Sequence, residues 1–161
     1  IPKTSNYKNL FDAPNLLLQK ISSPNFIATT KISSFIKNDG EEFGLVLMGI
    51  DYSYLRVKKI NGKLFISQII CQNADKKTEE QEINTTEIKG EEIYLRVKIT
   101  EDGKGIFSYS EDQSNYKTIG NVFSIKQGKW IGAKIGYIAL REGFINDSGY
   151  IKIDWIRFEK I

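Results

Sequence analysis

Short runs in which apolar and polar side chains alternate dominate the chain after residue 25. The clearest run, residues 92–100, has an aliphatic side chain at every second position: Ile93, Leu95, Val97 and Ile99. Residues 54–58 repeat the pattern with Leu55 and Val57. A period of two places alternate side chains on opposite faces of a β-strand. Turn signals separate such runs about every ten residues, so the pattern predicts an antiparallel β-sandwich or barrel.

Turn dipeptides and prolines mark the boundaries between these runs. Asn-Gly at 61–62 and Asp-Gly at 102–103 predict hairpins with type I′ turns. Residues 75–82 are charged and polar without a period, which predicts a solvated loop or strand edge. Residues 1–25 contain all the prolines and are predicted to form an irregular N-terminal lead.

Composition narrows the class of protein further. The chain has 161 residues, which fits a single domain over residues 1–161. It contains 25 isoleucines against 5 alanines, a bias toward β-branched side chains that favours strands over helices. Because the first residue is Ile1 rather than Met, we expect a fragment of a longer polypeptide.

Charge and reactive side chains exclude several functions. The net charge is +3 with both signs interspersed, so no nucleic acid is expected as a partner. No apolar run approaches the length of a membrane helix, so no membrane is expected either. With no histidine and a single cysteine, Cys71, the chain lacks a Cys/His zinc site, a Ser-His-Asp triad and a disulfide. Carboxylates remain as possible catalysts, and localisation stays open between the bacterial cytoplasm and export.

The pentapeptide Tyr-Leu-Arg-Val-Lys occurs twice, at 54–58 and 94–98. In each copy the tyrosine, arginine and lysine share the face opposite the leucine and valine. Aromatic platforms beside hydrogen-bonding groups suit pyranose rings. One hypothesis is therefore a sugar-binding surface that joins both copies: Tyr54, Arg56, Lys58, Tyr94, Arg96 and Lys98. The alternative is the ordinary wet face of an antiparallel sheet.

Several segments, taken in order, resemble the C-terminal domain of glycoside hydrolase family 43 enzymes, the β-xylosidase and α-L-arabinofuranosidase group. The segments are NLLLQK at 15–20, GLVLMG at 44–49, DYSYL at 51–55, FSYSED at 107–112, GKWIGAKIG at 128–136 and IDWIRF at 153–158. The resemblance extends from about residue 10 over nearly the whole chain. It implies a concanavalin A-like jelly roll, which agrees with the strand pattern.

The resemblance also implies a role. The domain would be a non-catalytic accessory domain that packs on a glycoside hydrolase catalytic domain in the same polypeptide. Its oligosaccharide or polysaccharide partner would be of the xylan or arabinan type. Hydrolysis with inversion would then belong to residues outside this chain. Trp130 is the expected aromatic at the rim of the sugar pocket, with a core or interface tryptophan as the alternative. Trp155, in a run of apolar residues, is expected in the core.

Two further functions stay open. Instead of an accessory domain, the chain could form a free-standing carbohydrate-binding module or lectin. The more distant alternative is an independent glycanase. The glycanase pattern Glu-x-Asp-x-x-Glu is absent, and the pairs at 41–42, 79–80 and 91–92 are expected to be solvated glutamates at turns or strand ends. No cofactor is expected, and a structural calcium ion has no supporting motif.

These functions predict different surfaces. An accessory domain exposes an apolar patch where its partner packs. An autonomous binder presents aromatic side chains to solvent. An enzyme brings two carboxylates with perturbed pKa values together in a cleft.

Overall fold

The computed structural model describes residues 1, 7–13, 15–21, 23–126, 132–142 and 147–161. These residues contain a 3₁₀ turn at Ala74–Lys76 and twelve strands. The strands are β1 (Leu16–Lys20), β2 (Phe26–Phe35), β3 (Glu41–Met48), β4 (Tyr52–Ile60), β5 (Lys63–Cys71), β6 (Gln81–Ile88), β7 (Glu92–Ile99), β8 (Lys104–Ser110), β9 (Lys117–Thr118), β10 (Phe123–Ser124), β11 (Lys134–Arg141) and β12 (Tyr150–Lys160). No helix in the described part is long and apolar enough to cross a membrane.

The strands form two antiparallel sheets. Sheet A has the order β1-β11-β3-β4-β5-β6, and sheet B has the order β10-β8-β7-β2-β12, with β9 paired to β8. The prediction of an all-β antiparallel sandwich is confirmed. Strands β1 and β12 are edge strands of sheets A and B respectively.

The core lies between the two sheets and is built by the predicted alternation. Leu55 and Val57 of β4 face Leu95 and Val97 of β7 in one apolar cluster, and Phe107 of β8 belongs to the same cluster. All five side chains are at least 99% buried. The strand faces predicted at 54–58 and 92–100 are therefore confirmed.

The opposite face of sheet A is also apolar and is covered by residues 7–13. Leu10 and Ala13 pack there against Tyr52, Tyr54 and Ile69. A sandwich usually leaves such an outward face wet. Here residues 7–13 supply a third layer over part of sheet A.

Among its described residues, the predicted irregular lead over residues 1–25 contains a strand. Strand β1 pairs with β11, with Leu16 opposite Ile138 and Leu18 opposite Gly136. The consecutive leucines therefore extend sheet A by one strand. The prediction of irregular structure is wrong for these five residues. The prolines on either side of the leucines are typical of irregular structure, but neither lies within the strand.

Both predicted hairpins form, but only one has the predicted turn. Asn61 and Gly62 both have positive φ, 50° and 78°, as a type I′ turn requires. At the second hairpin only Gly103 is left-handed, at 73°. Thr100 and Lys104 close a three-residue loop there through a 2.9 Å backbone hydrogen bond. The type I′ prediction is wrong at this site because a three-residue loop uses a different turn with one left-handed residue.

We expect Gly62→Ala to lower the free energy of unfolding by about 1 to 2 kcal/mol, because an L-residue pays for the left-handed conformation. An added Cβ at Gly62 meets no atom within 4 Å, so the loss reports backbone strain rather than a clash. Urea unfolding measures it. Asn61→Gly, which tolerates the same turn, is the control and is expected to remain close to the parent. Equal stability of Gly62→Ala and the parent would contradict the turn assignment.

Candidate functional site

The two copies of Tyr-Leu-Arg-Val-Lys lie on different sheets. Residues 54–58 belong to β4 in sheet A, and residues 94–98 belong to β7 in sheet B. Their leucines and valines meet in the core, so their tyrosines, arginines and lysines point away from each other. The hypothesis of one surface that joins both copies is therefore wrong. Each outward face has to be considered separately.

The copy in sheet A is closed to ligands. Tyr54 is completely buried beneath residues 7–13, with its ring centroid 6.2 Å from that of Tyr52. Both hydroxyls donate to the carboxylate of Glu80, Tyr52 at 2.6 Å and Tyr54 at 3.1 Å. The Tyr52 hydroxyl also accepts the N–H of Leu10 at 2.8 Å. Tyr54 thus fastens the sheet to its cover and offers no ring to a sugar.

Beside this covered surface, partly buried charged side chains continue along β4. Arg56 Nη2 lies 2.6 Å from Glu82 Oε1, and Lys58 Nζ lies 3.3 Å from Glu42 Oε2. We call this group the sheet A network: Glu42, Tyr52, Tyr54, Arg56, Lys58, Glu80 and Glu82. Glu80 was predicted to be solvated with Glu79, and this prediction is wrong for Glu80, because residues 75–82 have no period to indicate its orientation.

The adjacent glutamates 41 and 42 were predicted to be solvated, and this prediction is wrong. Both are buried, since β3 begins at Glu41 and carries both into the sheet. The Glu41 carboxylate accepts the backbone N–H groups of Lys37, Asn38 and Gly149 at 2.8, 3.1 and 2.7 Å. Burial raises the pKa of Glu41, but these donors outweigh it and the net pKa lies below the ordinary value.

The pKa values of Glu42 and Glu80 are shifted the other way, above the ordinary value. Burial raises the pKa of Glu42 despite the nearby cations of Lys58 and Arg56. Burial also raises the pKa of Glu80, although the Tyr52 hydroxyl stabilises its charged form. Perturbed carboxylates are a feature of active sites, but buried networks produce them as well.

The outward face of sheet B is open and aromatic. Tyr94 of β7 and Trp155 of β12 place their ring centroids 6.1 Å apart, and the guanidinium of Arg157 lies 4.3 Å from the Trp155 ring centroid. Trp155 is partly exposed on this face, so its predicted place in the core is wrong. The pairing register shifts between Ile153 and Trp155, and this bulge at Asp154 turns the indole outward. In the sequence, the signal for this bulge is the three-residue spacing from Ile153 to Ile156, where a regular strand has inward side chains two residues apart.

Arg96 lies on the same face and is held by two partners. Its Nε donates to Thr29 Oγ1 at 2.9 Å, and its guanidinium carbon lies 3.4 Å from the ring centroid of Tyr116. The turn before Tyr116 is fixed by Asp112, which accepts the N–H of Asn115 at 2.8 Å. Hydrogen bonds, above all from the Asn115 backbone, lower the pKa of Asp112.

Two more rings continue this face toward one end of β12. Phe35 and Tyr150 are stacked with centroids 4.7 Å apart, and Lys152 Nζ lies 5.4 Å from the Phe35 ring. Tyr150 keeps 48% of its surface exposed. We call the five rings of this face the aromatic row: Phe35, Tyr94, Tyr116, Tyr150 and Trp155.

Trp130, the expected aromatic at a sugar pocket, lies within residues 127–131, outside the described residues. Its role stays a prediction. Among the residues that the structure describes, no group of three or more Asp, Glu or Cys side chains is arranged to hold a metal ion.

Apolar side chains are exposed along one side of the sandwich, where the edge strands β1 and β12 lie. Leu17 is 69% exposed and Phe158 is 46% exposed. A cleft of about 260 Å³ is lined by residues that include Lys20 and Ile21 at the end of β1, and Phe158 and Lys160 of β12. We call this surface the open edge: Leu17, Lys20, Ile21, Ile153, Phe158 and Lys160.

Comparison with known proteins assigns the fold to a family. A family model described as the beta xylosidase C-terminal concanavalin A-like domain, GH43_C2, matches residues 3–159. The chain belongs to this family. The GH43_C2 assignment confirms the resemblance drawn from the sequence, the concanavalin A-like fold, and the correspondence to the C-terminal domain of GH43 enzymes.

Individual relatives are much longer than this GH43_C2 chain. A beta-xylosidase of Formosa agariphila is 33% identical over 73 residues, which cover 45% of this chain and 12% of the relative. A bifunctional GH43-CE protein of Bacteroides eggerthii superposes with a TM-score of 0.84 at 23% identity, covering 99% of this chain and 20% of that one. A GH43 protein of Bacillus licheniformis gives 0.77 at 15% identity, with 99% and 32% covered. At these identities the structures show the fold.

We expect Glu80→Gln to flatten the pH dependence of stability. A raised native pKa means that the folded chain holds the proton more tightly than the unfolded chain. The contribution of Glu80 is therefore complete below the ordinary pKa of 4.5 and is lost as the pH rises through the higher native value. Urea unfolding at pH 4.5 and pH 7.5 should show a smaller fall in stability for the variant.

Glu79→Gln is the matched control, because Glu79 is the exposed neighbour in the same pair. It is expected to keep the parental pH dependence. If Glu80→Gln also kept it, the buried environment assigned to Glu80 would be wrong.

Proposed function

We propose that this chain is the non-catalytic accessory domain of a longer family 43-type glycoside hydrolase that acts on xylan- or arabinan-type polysaccharides. The observation that carries the proposal is the family match over residues 3–159 in a chain that spans only 12 to 32% of these relatives. The beta-xylosidase among them supports pentose-containing polysaccharides as the substrate class. The catalytic domain would lie elsewhere in the same polypeptide.

The open edge is the surface we assign to contact with that catalytic domain. Leu17 projects from the inward-facing side of β1 and Phe158 from that of β12, yet both are exposed because the two strands lie at the edges of their sheets. Burying such side chains contributes about 1.5 to 3 kcal/mol each. Lys20 and Lys160 border the cleft, so a complementary surface combines apolar groups with carboxylates.

The independent glycanase is the alternative that a specific observation favours, namely the raised pKa values of Glu42 and Glu80. Both carboxylates are already engaged by protein groups. Glu80 accepts from two tyrosines, and Glu42 lies beside Lys58. As members of the sheet A network they have a structural explanation, and the accessory role accounts for the open edge.

We expect Leu17→Asp/Phe158→Asp to uncouple this domain from the catalytic domain in the full-length polypeptide. Charges at the open edge would replace buried apolar contacts, so calorimetry should resolve two unfolding transitions where the parent shows coupled unfolding. Phe11→Asp/Val122→Asp is the matched control, since both residues are exposed apolar side chains outside the open edge.

Circular dichroism of this chain alone with each double substitution establishes that the domain still folds. Uncoupling by the control pair and not by the open-edge pair would contradict the assigned surface. Unchanged coupling in both would contradict packing through this edge altogether.

The glycanase alternative has its own test. We expect this chain alone to release no sugar from xylo-oligosaccharides, because Glu42 is buried and Glu80 is held by two tyrosine hydroxyls. Hydrolysis that is abolished by Glu80→Gln but kept by Glu79→Gln would establish the glycanase and contradict the accessory role.

A further inference from the structure

We propose that the outward face of sheet B is a binding surface for a polysaccharide that carries carboxylate groups, such as a xylan substituted with uronic acids. The choice of a pentose backbone rests on the proposed function, whereas the site itself rests on the aromatic row and its surrounding charges. The surface is distinct from the open edge.

Aromatic rings supply the first element of the site. Pyranose rings have apolar C–H faces that pack on aromatic side chains. Tyrosine and tryptophan add a hydroxyl or an indole N–H that can form a hydrogen bond. Tyr150 is 48% exposed and Phe35, stacked behind it, is 37% exposed. Tyr150 lies on the edge strand β12, so its ring is accessible to an extended chain from the side.

Hydrogen-bonding groups supply the second element. Within the described part of the chain, the indole N–H of Trp155 and the hydroxyl of Tyr150 make no hydrogen bond. The Trp155 indole is partly buried beside Tyr94, so its orientation is fixed before a ligand arrives. Both groups can therefore bind sugar hydroxyls without giving up a protein partner.

The charges of this face indicate an acidic ligand. Strands β2, β7 and β12 place five cations and three carboxylates on it: Lys31, Arg96, Lys98, Lys152, Arg157, Glu92, Asp154 and Glu159. Two of the carboxylates, Glu92 and Asp154, are engaged by Lys31 at 2.7 and 3.4 Å. The remaining face has an excess of positive charge.

Two of these cations are positioned as anion receptors. Arg157 lies over the Trp155 ring and Lys152 lies near the Phe35 ring, and in the described residues neither forms an ion pair. A guanidinium held against an indole keeps its outer N–H groups available for a carboxylate. A carboxylate substituent on a sugar chain would therefore meet a cation beside an aromatic ring.

The spacing of the rings fits a chain rather than a single sugar. Tyr150 pairs with Phe35 and Trp155 pairs with Lys31. Along β2 these two pairs are four residue steps apart, a distance of roughly 13 Å. An oligosaccharide of several units would contact both ends of the aromatic row.

The test is fluorescence titration of this chain with two probes, neutral xylotetraose and a xylotetraose that carries one glucuronic acid. Trp130 and Trp155 are the chain's two tryptophans. Trp130→Phe leaves Trp155 as the single reporter, and Trp155→Phe leaves Trp130. We expect a saturable change with the acidic probe in Trp130→Phe only, and about tenfold weaker binding of the neutral probe.

Substitutions on the face identify the contacts. Lys152→Gln/Arg157→Gln should weaken the acidic probe by about tenfold and leave the neutral probe unchanged. Lys37→Gln/Lys63→Gln, at exposed lysines outside this face, is the matched control and should change neither. Trp155→Ala should weaken both probes, and Tyr54→Phe, in the buried copy of the pentapeptide, should weaken neither.

Three results would overturn the proposal. These are equal affinity for both probes, binding that only Trp155→Phe reports, and no binding of the acidic probe at millimolar concentration. Equal binding of a polyglutamate peptide would replace the polysaccharide with an acidic protein partner. Because all titrations use this chain alone, their failure is distinct from failure of the open edge to pack on a catalytic domain.

Discussion

The single apolar layer between the two sheets is the constraint on which the rest of this protein depends. Each strand has one inward face, and the alternating aliphatic side chains of β4 and β7 fill it from opposite sides. Every other side chain of those strands must then point outward. The functional surfaces are consequently the two outward faces and the side where the edge strands leave the core partly uncovered.

The two copies of the pentapeptide have different environments because one outward face is covered by another segment of the chain and the other is not covered by any described residue. Sheet A is covered by residues 7–13, and its tyrosines bind Glu80 beneath that cover. Sheet B has no such cover among the described residues, so Tyr94 lies beside a partly exposed Trp155. The counterpart of Tyr54 on the other sheet, Tyr94, is also buried, but it packs beside a partly exposed tryptophan on a face without such a cover in the described residues.

A small backbone irregularity decides the character of the open face. Without the bulge at Asp154, strict alternation would place Trp155 inside with Ile153. With it, the indole and Arg157 face outward, and Ile156 and Phe158 return to the inward side. Bulges often redirect a side chain where function requires it. At the end of the same strand, Phe158 contributes to the open edge, so β12 borders both surfaces that we assign to partners.

The sequence by itself determined the fold class, the strand faces at 54–58 and 92–100, the turn at 61–62 and the family, because these depend on local period, turn chemistry and the order of short motifs. Only the tertiary structure decided that the two pentapeptides lie on separate sheets, that Glu42 is buried and Glu80 partly buried, and that Trp155 points outward. Strand order and the path of the covering segment are long-range properties that no spacing along the chain specifies. The one-residue bulge had a single local signal, the three-residue spacing from Ile153 to Ile156, and strict alternation predicts the opposite face for Trp155.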